Sequence, residues 1–290
     1  MTNTEDKGLR LIFPLWTGGN MPEYHFGAEM LAWLAPETFM PTERVAVTAP
    51  DTSTENENGI RGRHHLMSDL DNASALIRKH SPDRIAVLGG DCLIDLEPFA
   101  WLSNRWGERL GILWVDTHPD VMTPAQYENA HAHVLGALMG NGDPELTARV
   151  SHPVSASRVM IAGIHSPSDY EADFIKNNGI QTCTPDEIRT GSSKITDWIR
   201  KENITHLAIH FDLDVLDAHQ FRAVMFARPD DEPGKWDATA KGKLTLKEAA
   251  DVIRQAEKAA DVVGLGIAEH LPWDALNLKE MLSDLPLLRR

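Results

Sequence analysis

Asp116, His118 and Asp120 alternate along one short stretch, and Asp212 and Asp214 repeat the same spacing far downstream. On extended backbone every second side chain falls on one face, so each stretch offers its polar groups as a block. Cys92 follows Gly89-Gly90-Asp91, and Glu269 precedes His270. Carboxylates, imidazoles and thiolates are the groups that ligate divalent metals. Acids packed this densely would repel one another severely unless cations neutralised them. Several carboxylates, an imidazole and a thiolate could hold two divalent ions about 3.5–4 Å apart, with a carboxylate bridging them. Taken singly, the pieces have plainer uses. An Asp-x-Asp after a strand is ordinarily an N-cap or turn pair, Gly89-Gly90 makes a tight turn, and Cys92 would serve as a small buried packing residue.

What joins the pieces is where they stand. The strand candidates are Leu9–Phe13, Arg44–Thr48, Arg84–Leu88, Leu110–Val115, Arg158–Ile164, His206–Phe211 and Val262–Ala268. Each is apolar at nearly every position, the pattern of a parallel strand covered on both faces. Helix patterns lie between them at Tyr24–Leu34, Leu66–His80, Ala130–Met139, Asp169–Asn178, Ile195–Glu202 and Leu246–Ala259. The last opens on Thr245 with Glu248 three residues on, a capping box. The alternation predicts an α/β protein with one mostly parallel sheet and helices on both faces. All four polar clusters begin where an apolar run ends. In open parallel sheets the ligand crevice lies beyond the carboxyl ends of the strands, so the clusters are expected to converge on one cleft.

The bulk composition narrows the partners. The chain has 290 residues, 42% of them hydrophobic, and a formal charge of −15. A core of ordinary size is expected, and the acidic balance speaks against nucleic acid and anionic membrane, which both need a basic surface. Two cysteines, Cys92 and Cys183, make no disulfide framework in a chain this long, which suggests a reducing compartment. The first residues carry neither a basic region nor a long apolar run, so no secretion signal is expected and the reading is cytoplasmic. The loop-like stretches Asp51–Gly59 and Arg228–Gly242 read as surface excursions, leaving residues 1–290 as a single domain.

Asp116-Thr117-His118-Pro119-Asp120 resembles the Asp-Ala-His-x-Asp signature of arginases, agmatinases and their relatives. Phe211-Asp212-Leu213-Asp214-Val215-Leu216-Asp217 is similar to their Ser-Phe-Asp-x-Asp-x-x-Asp-Pro, Gly89-Gly90-Asp91-Cys92 to their Gly-Gly-Asp-His, and Gly242-Lys243-Leu244-Thr245 to their Gly-Gly-Leu-Thr. The motifs stand in family order. The resemblance implies a three-layer α/β/α domain with a binuclear site, usually manganese, that hydrolyses a guanidino compound to urea or a urea derivative and an amine. By matching position, Cys92, Asp116, Asp120 and Asp212 would surround one ion, and His118, Asp116, Asp212 and Asp214 the other. Glu269 falls where the family pairs an acid with the guanidinium. Asn129-Ala130-His131 falls on the family's Asn-x-His, which assigns Asn129 to substrate binding and His131 to proton transfer, with His133 close enough to compete for that role. Rings of three or six subunits are implied as well.

Three departures bear on the substrate. Cys92 replaces the family's histidine ligand, and a softer thiolate shifts preference toward Zn²⁺ or Fe²⁺ relative to Mn²⁺. A cysteine in this place resembles the arginase-like enzymes that act on N-hydroxylated arginine. Ala218 stands where proline is usual, and the stretch from Phe221 to Lys241, including Trp236, replaces a Pro-Gly-Thr-Gly-Thr segment. Gly163-Ile164-His165-Ser166 departs from the pattern that leads to recognition of an α-amino group, so L-arginine is not assumed. The competing readings are hydrolysis of another linear C–N bond, formimino or amide, as in single-zinc deacetylases, and a metal-binding relative without activity. Asp120 and Asp214 favour two metals over one, and intact Glu269 and His131 count against an inactive relative.

Overall fold

A computed structural model describes residues 7–287 of the chain. Its strands are β1 (Gly8–Phe13), β2 (Thr42–Arg44), β3 (Asn56–Glu57), β4 (Ile60–Arg61), β5 (Arg84–Gly89), β6 (Leu110–Val115), β7 (Val159–Ala162), β8 (Gln181–Cys183), β9 (His206–Asp212) and β10 (Asp261–Ala268). Eight of them form one sheet in the order β2-β1-β5-β10-β9-β6-β7-β8, and every pairing within it is parallel. The remaining two, β3 and β4, make a small antiparallel hairpin apart from the sheet. The helices are α1 (Glu23–Leu34), α2 (Arg63–His80), α3 (Leu96–Trp106), α4 (Val134–Leu138), α5 (Pro144–Thr147), α6 (Asp169–Asn178), α7 (Pro185–Arg189), α8 (Lys194–Lys201), α9 (Leu246–Glu257) and α10 (Trp273–Asp284).

Strand β6 shows why the runs are apolar throughout. All six of its residues are buried. Ile112 and Trp114 pack into one core with Leu66 and Leu70 of α2, Phe99 and Leu102 of α3 and Val134 of α4. Leu113 and Val115 pack into another, with Ile195, Trp198 and Ile199 of α8 and Val252 and Ala256 of α9. Successive side chains of a strand point to opposite faces, so two cores on two faces demand apolar residues at both parities. The result is helix layer, sheet and helix layer, as expected. Among the described residues no helix is long and apolar enough to cross a membrane.

Several boundaries differ from the sequence reading. The run Arg44–Thr48 does not form the strand there: β2 lies earlier, and only Val45 continues the ladder, through its N–H to Ile12 O at 2.9 Å. Arg158–Ile164 is trimmed to β7, because Ala156–Arg158 closes a 3₁₀ turn and Gly163 leaves the strand at φ +105°. The pattern Ala130–Met139 breaks into a 3₁₀ turn, Ala130–His133, followed by α4. Helix α3 was not expected. Pro98 falls in its first turn, where a missing N–H costs nothing.

The register of the four central strands sets up the site. Leu88 of β5 stands beside Ile267 of β10, Asp212 of β9 beside Ala268 of β10, and Val115 of β6 beside Phe211 of β9. Asp116 therefore leaves the sheet level with Asp212, and Glu269 and Gly90 leave it at the same height. The four polar clusters come from four adjacent strands at one edge of the sheet.

Candidate metal centre

Each side chain of the cluster is placed by a local device. Asp91 caps the 3₁₀ turn Cys92–Asp95, accepting the Leu93 N–H at 3.0 Å and the Gly19 N–H at 2.9 Å. That turn puts Cys92 beneath the sheet edge, 2% exposed. Gly90 permits it, since a Cβ there would lie 1.7 Å from Leu15 O. Asp116 accepts the Trp114 indole N–H at 3.0 Å and the His118 backbone N–H at 2.8 Å, while Asp212 accepts the Asp214 N–H at 2.6 Å. Both Asp-x-Asp/His blocks are thus Asx turns as well as ligand blocks; the plain use and the chemical one coexist. Asp120 and Glu269 sit at φ +48° and +64°, a region that non-glycine residues rarely adopt and that tends to mark functional positions.

The donor atoms converge in three overlapping sets: Cys92, Asp116, Asp120 and His210; Cys92, Asp212 and Glu269; and Asp116, His118 and Asp214. Within each set the atoms lie within 4.8 Å of one another. Cys92 Sγ is 3.0 Å from Asp212 and 3.5 Å from Glu269. His118 Nδ1 faces Asp214 at 3.3 Å and Asp116 at 3.6 Å. Its Nε2 lies 3.0 Å from Ala240 O; donating the Nε2 proton to that carbonyl leaves Nδ1 as the acceptor toward the acids. All six residues expected as ligands therefore stand together. His210 joins them without having been expected.

The electrostatics fit a cationic occupant. Asp116, Asp120, Asp212, Asp214 and Glu269 are each 4% exposed or less. Burial and then the neighbouring carboxylates push Asp120, Asp212 and Glu269 well above the usual carboxylate range. Burial followed by the Asp212 carboxylate does the same to the Cys92 thiol. Asp120 Oδ2 and Asp214 Oδ1 have no hydrogen-bond partner although buried. Buried acids without donors are costly, and a thiol, an imidazole and carboxylates with spare lone pairs are a donor set that divalent cations would satisfy.

Above the cluster opens a cavity of about 330 Å³, with Cys92, His118, Asp212, Asp214 and Glu269 at its floor. Its walls include Met122, Gln126, Tyr127, Met225, Phe226, Trp236 and Thr239, and none of the described lining residues is Lys or Arg. Trp236 meets Phe226 edge to face at 5.6 Å. Glu269 accepts a hydrogen bond from the buried Tyr24 hydroxyl of α1. No local signal in the sequence links that pair. His131 lines the cavity, and its Nδ1 lies 3.1 Å from Gly18 O; burial lowers its pKa to about 4. His133 turns away, with Nε2 2.9 Å from Tyr127 O. Asn129 stands one step back from the cavity, donating to Gly19 O at 3.2 Å and to the Tyr127 hydroxyl at 3.1 Å.

Residues 51–275 match the model of the arginase family. The arginase of Bacillus caldovelox is 32% identical over 171 residues, which cover 56% of this chain and 53% of that protein. A Staphylococcus aureus arginase is 25% identical, with 64% of this chain and 60% of that protein matched; the chain thus spans between half and two thirds of these relatives' lengths. Among solved structures, the Entamoeba histolytica arginase in complex with L-ornithine superposes with a TM-score of 0.76 at 21% identity, over 92% of each chain. The proclavaminate amidino hydrolase of Streptomyces clavuligerus does so with 0.64 at 15% identity, over 92% of this chain and 84% of the other. The strand-end motifs, the all-parallel sheet they terminate and a family match over most of the length agree, and the chain belongs to the arginase family.

Proposed function

We propose that this chain hydrolyses a C–N bond of a guanidino compound at a pair of divalent cations, releasing urea or a urea derivative and an amine. The observation that carries the reading is the gathering of one thiol, one imidazole and four aspartates from three strands of the sheet into one cluster, with Glu269 from a fourth beside them, and with Cys92, His118, Asp212, Asp214 and Glu269 open to one cavity. Cys92, Asp116, Asp120 and Asp212 would hold one ion, and His118, Asp116, Asp212 and Asp214 the other. When bound, the cations supply Lewis acidity and a water acidic enough to serve as nucleophile near neutral pH. The thiolate favours Zn²⁺ or Fe²⁺ relative to the family's usual Mn²⁺.

The chain's own groups then divide the work. Glu269, steadied by Tyr24, would accept hydrogen bonds from the planar guanidinium and turn its central carbon toward the floor. His131, held neutral by burial, would keep its Nδ1 proton on Gly18 O, take up at Nε2 the proton that the attacking water loses, and pass it to the departing amine. Asn129 would act by fixing Tyr127 at the wall. The walls are largely apolar and aromatic and include one acid, Glu171, but no Lys or Arg, so a substrate α-carboxylate would meet no cation there, which points to a guanidino compound whose tail carries no carboxylate. The reading includes a ring of three or six copies, which sedimentation equilibrium would measure.

A urea-release assay across L-arginine, N-hydroxylated arginine, agmatine and arylalkyl guanidines, on protein reloaded with Mn²⁺, Zn²⁺ or Fe²⁺, tests the proposal. Turnover of one or more of them, with arylalkyl guanidines ahead of L-arginine and close to two ions per chain, is expected. A single tightly bound zinc with hydrolysis of formimino or amide substrates would replace this reading with the deacetylase-like one.

A further inference from the structure

His210 is fully buried in the middle of the sheet, and only one of its ring nitrogens has a hydrogen-bond partner. Nδ1 lies 2.7 Å from Asp95 Oδ2, and the ring stacks on Trp114 at 3.7 Å and 11°. A purely structural histidine would be accounted for by those two contacts, but Nε2 is left over. It faces Asp116 Oδ2 at 4.0 Å and shares a shell of 4.8 Å with Cys92 Sγ and oxygens of Asp116 and Asp120. With the Nδ1 proton given to Asp95, Nε2 carries a lone pair. The Cys92 thiol is turned to Asp212 at 3.0 Å, and Asp120 Oδ2 beside it has no hydrogen-bond partner either, so one cation among these four groups would satisfy the Nε2 lone pair and that oxygen together. We propose that His210 Nε2 is a ligand of the ion held by Cys92, Asp116 and Asp120, with Asp95 as its positioning carboxylate.

The backbone is built around this pair. Asp95 ends the 3₁₀ turn that begins at Cys92, so one turn places both the thiol and the carboxylate behind the imidazole. Gly266 stands beside His210 on β10, and a Cβ at that position would lie 2.0 Å from Asp95 Oδ2. On β9, His210 precedes Asp212 by two residues and so shares its face of the strand. A carboxylate that fixes the tautomer and direction of an imidazole is the usual support of a metal-bound histidine.

The inference rests on the binuclear reading and is tested by metal binding rather than turnover. Metal-free protein is titrated with Zn²⁺ against a chromophoric chelator, and the zinc-loaded form is analysed by X-ray absorption for imidazole scattering. The wild type is expected to take up two Zn²⁺. His210→Phe keeps a ring against Trp114 and removes the nitrogen; one of the two affinities should fall roughly 100-fold, and the imidazole scattering per zinc should drop. Asp95→Asn should weaken the same site about 10- to 100-fold. Thermal melts of the metal-free forms separate this from a packing role, which predicts a lower melting temperature with unchanged Zn²⁺ affinity. Two Zn²⁺ bound by His210→Phe at wild-type affinity with unchanged imidazole scattering would overturn the proposal and leave the binuclear reading standing. A wild type that binds fewer than two Zn²⁺ overturns both. If His210→Phe does not fold, wild-type affinity and scattering in Asp95→Asn suffice to overturn the proposal.

Discussion

Glu269 is buried, held by Tyr24 and in the left-handed region of backbone space. Burial and the left-handed backbone are two costs at one acid, and together with the Tyr24 support they make sense if the carboxylate must point at a fixed spot in the cavity. Glu269→Gln keeps the shape and removes the charge. Its kcat/KM on the best guanidino substrate should fall by roughly 2–4 kcal/mol in transition-state stabilisation, the size of a lost charge-assisted contact, while metal content stays unchanged. Equal kcat/KM with intact metal would reduce Glu269 to a turn residue. Cys92 is the other decisive position. Cys92→His trades the soft donor for a harder one, so the ratio of Zn²⁺ to Mn²⁺ bound at equilibrium should fall by roughly tenfold, about 1.4 kcal/mol; an unchanged ratio in competitive dialysis would show that the sulfur ligates nothing. At this scale the acids were legible because each block is contiguous and follows an apolar run. His210 was hidden by its own setting, since a lone histidine inside His206–Asp212 reads as part of a buried strand. Tyr24 lies too far along the chain from Glu269 for spacing to connect them.

Strands announce themselves by composition, and β1, β5, β6, β9 and β10 fall within a residue or two of expectation. Short edge elements do not. The three-residue β8 has one buried position, and β2 has none, so neither leaves the apolar run that marks an interior strand. What ties the outer elements to the sheet is polar. Arg63 opens α2 and forks onto Asp143, the N-cap of α5, at 2.6 and 3.1 Å, while its other N–H groups reach the exposed Glu145 carboxylate at 2.5 Å and Glu57 O and Asn58 O in the β3–β4 hairpin. Asp143 is 4% exposed. Removing Arg63 strands a buried carboxylate, so Arg63→Ala should destabilise the protein by about 3 kcal/mol in denaturant titration. The pH dependence follows from Asp143. Burial opposes its ionised form, but the Arg63 guanidinium overcomes this and leaves the pKa below the ordinary value. The folded state then binds fewer protons than the unfolded one. This contribution is complete above the unfolded pKa near ~4 and is lost as pH falls through the folded pKa. Wild type and Arg63→Ala should therefore converge in stability in strong acid and diverge above about pH 5; parallel curves would mean that the pair contributes nothing.

Over the whole molecule, the buried carboxylates at the sheet edge oppose folding when no counter-charge is bound. Ions that bind only the folded state add RT ln(1 + [L]/Kd) each, about 2.7 kcal/mol per site at 100 times Kd. Two such sites would contribute about 5 kcal/mol, and for a chain of this length, with an unfolding entropy near 2.1 cal/mol/K per residue, that is a rise of roughly 10 °C in melting temperature. Chelation should remove this rise in calorimetry, and reloading should restore it. Asp120→Asn separates the metal term from ordinary packing. Asp120 Oδ2 is buried without a partner, and its pKa is raised by burial and then by Asp116, so a neutral isostere relieves repulsion in the metal-free protein. The metal-free variant should melt at or above the metal-free wild type, and the loaded variant below the loaded wild type. That crossing is the signature of a residue kept for a cation at the expense of the fold. A variant that melts lower in both states would place Asp120 among the structural turn residues, and the two-ion centre would have to be built from the remaining donors.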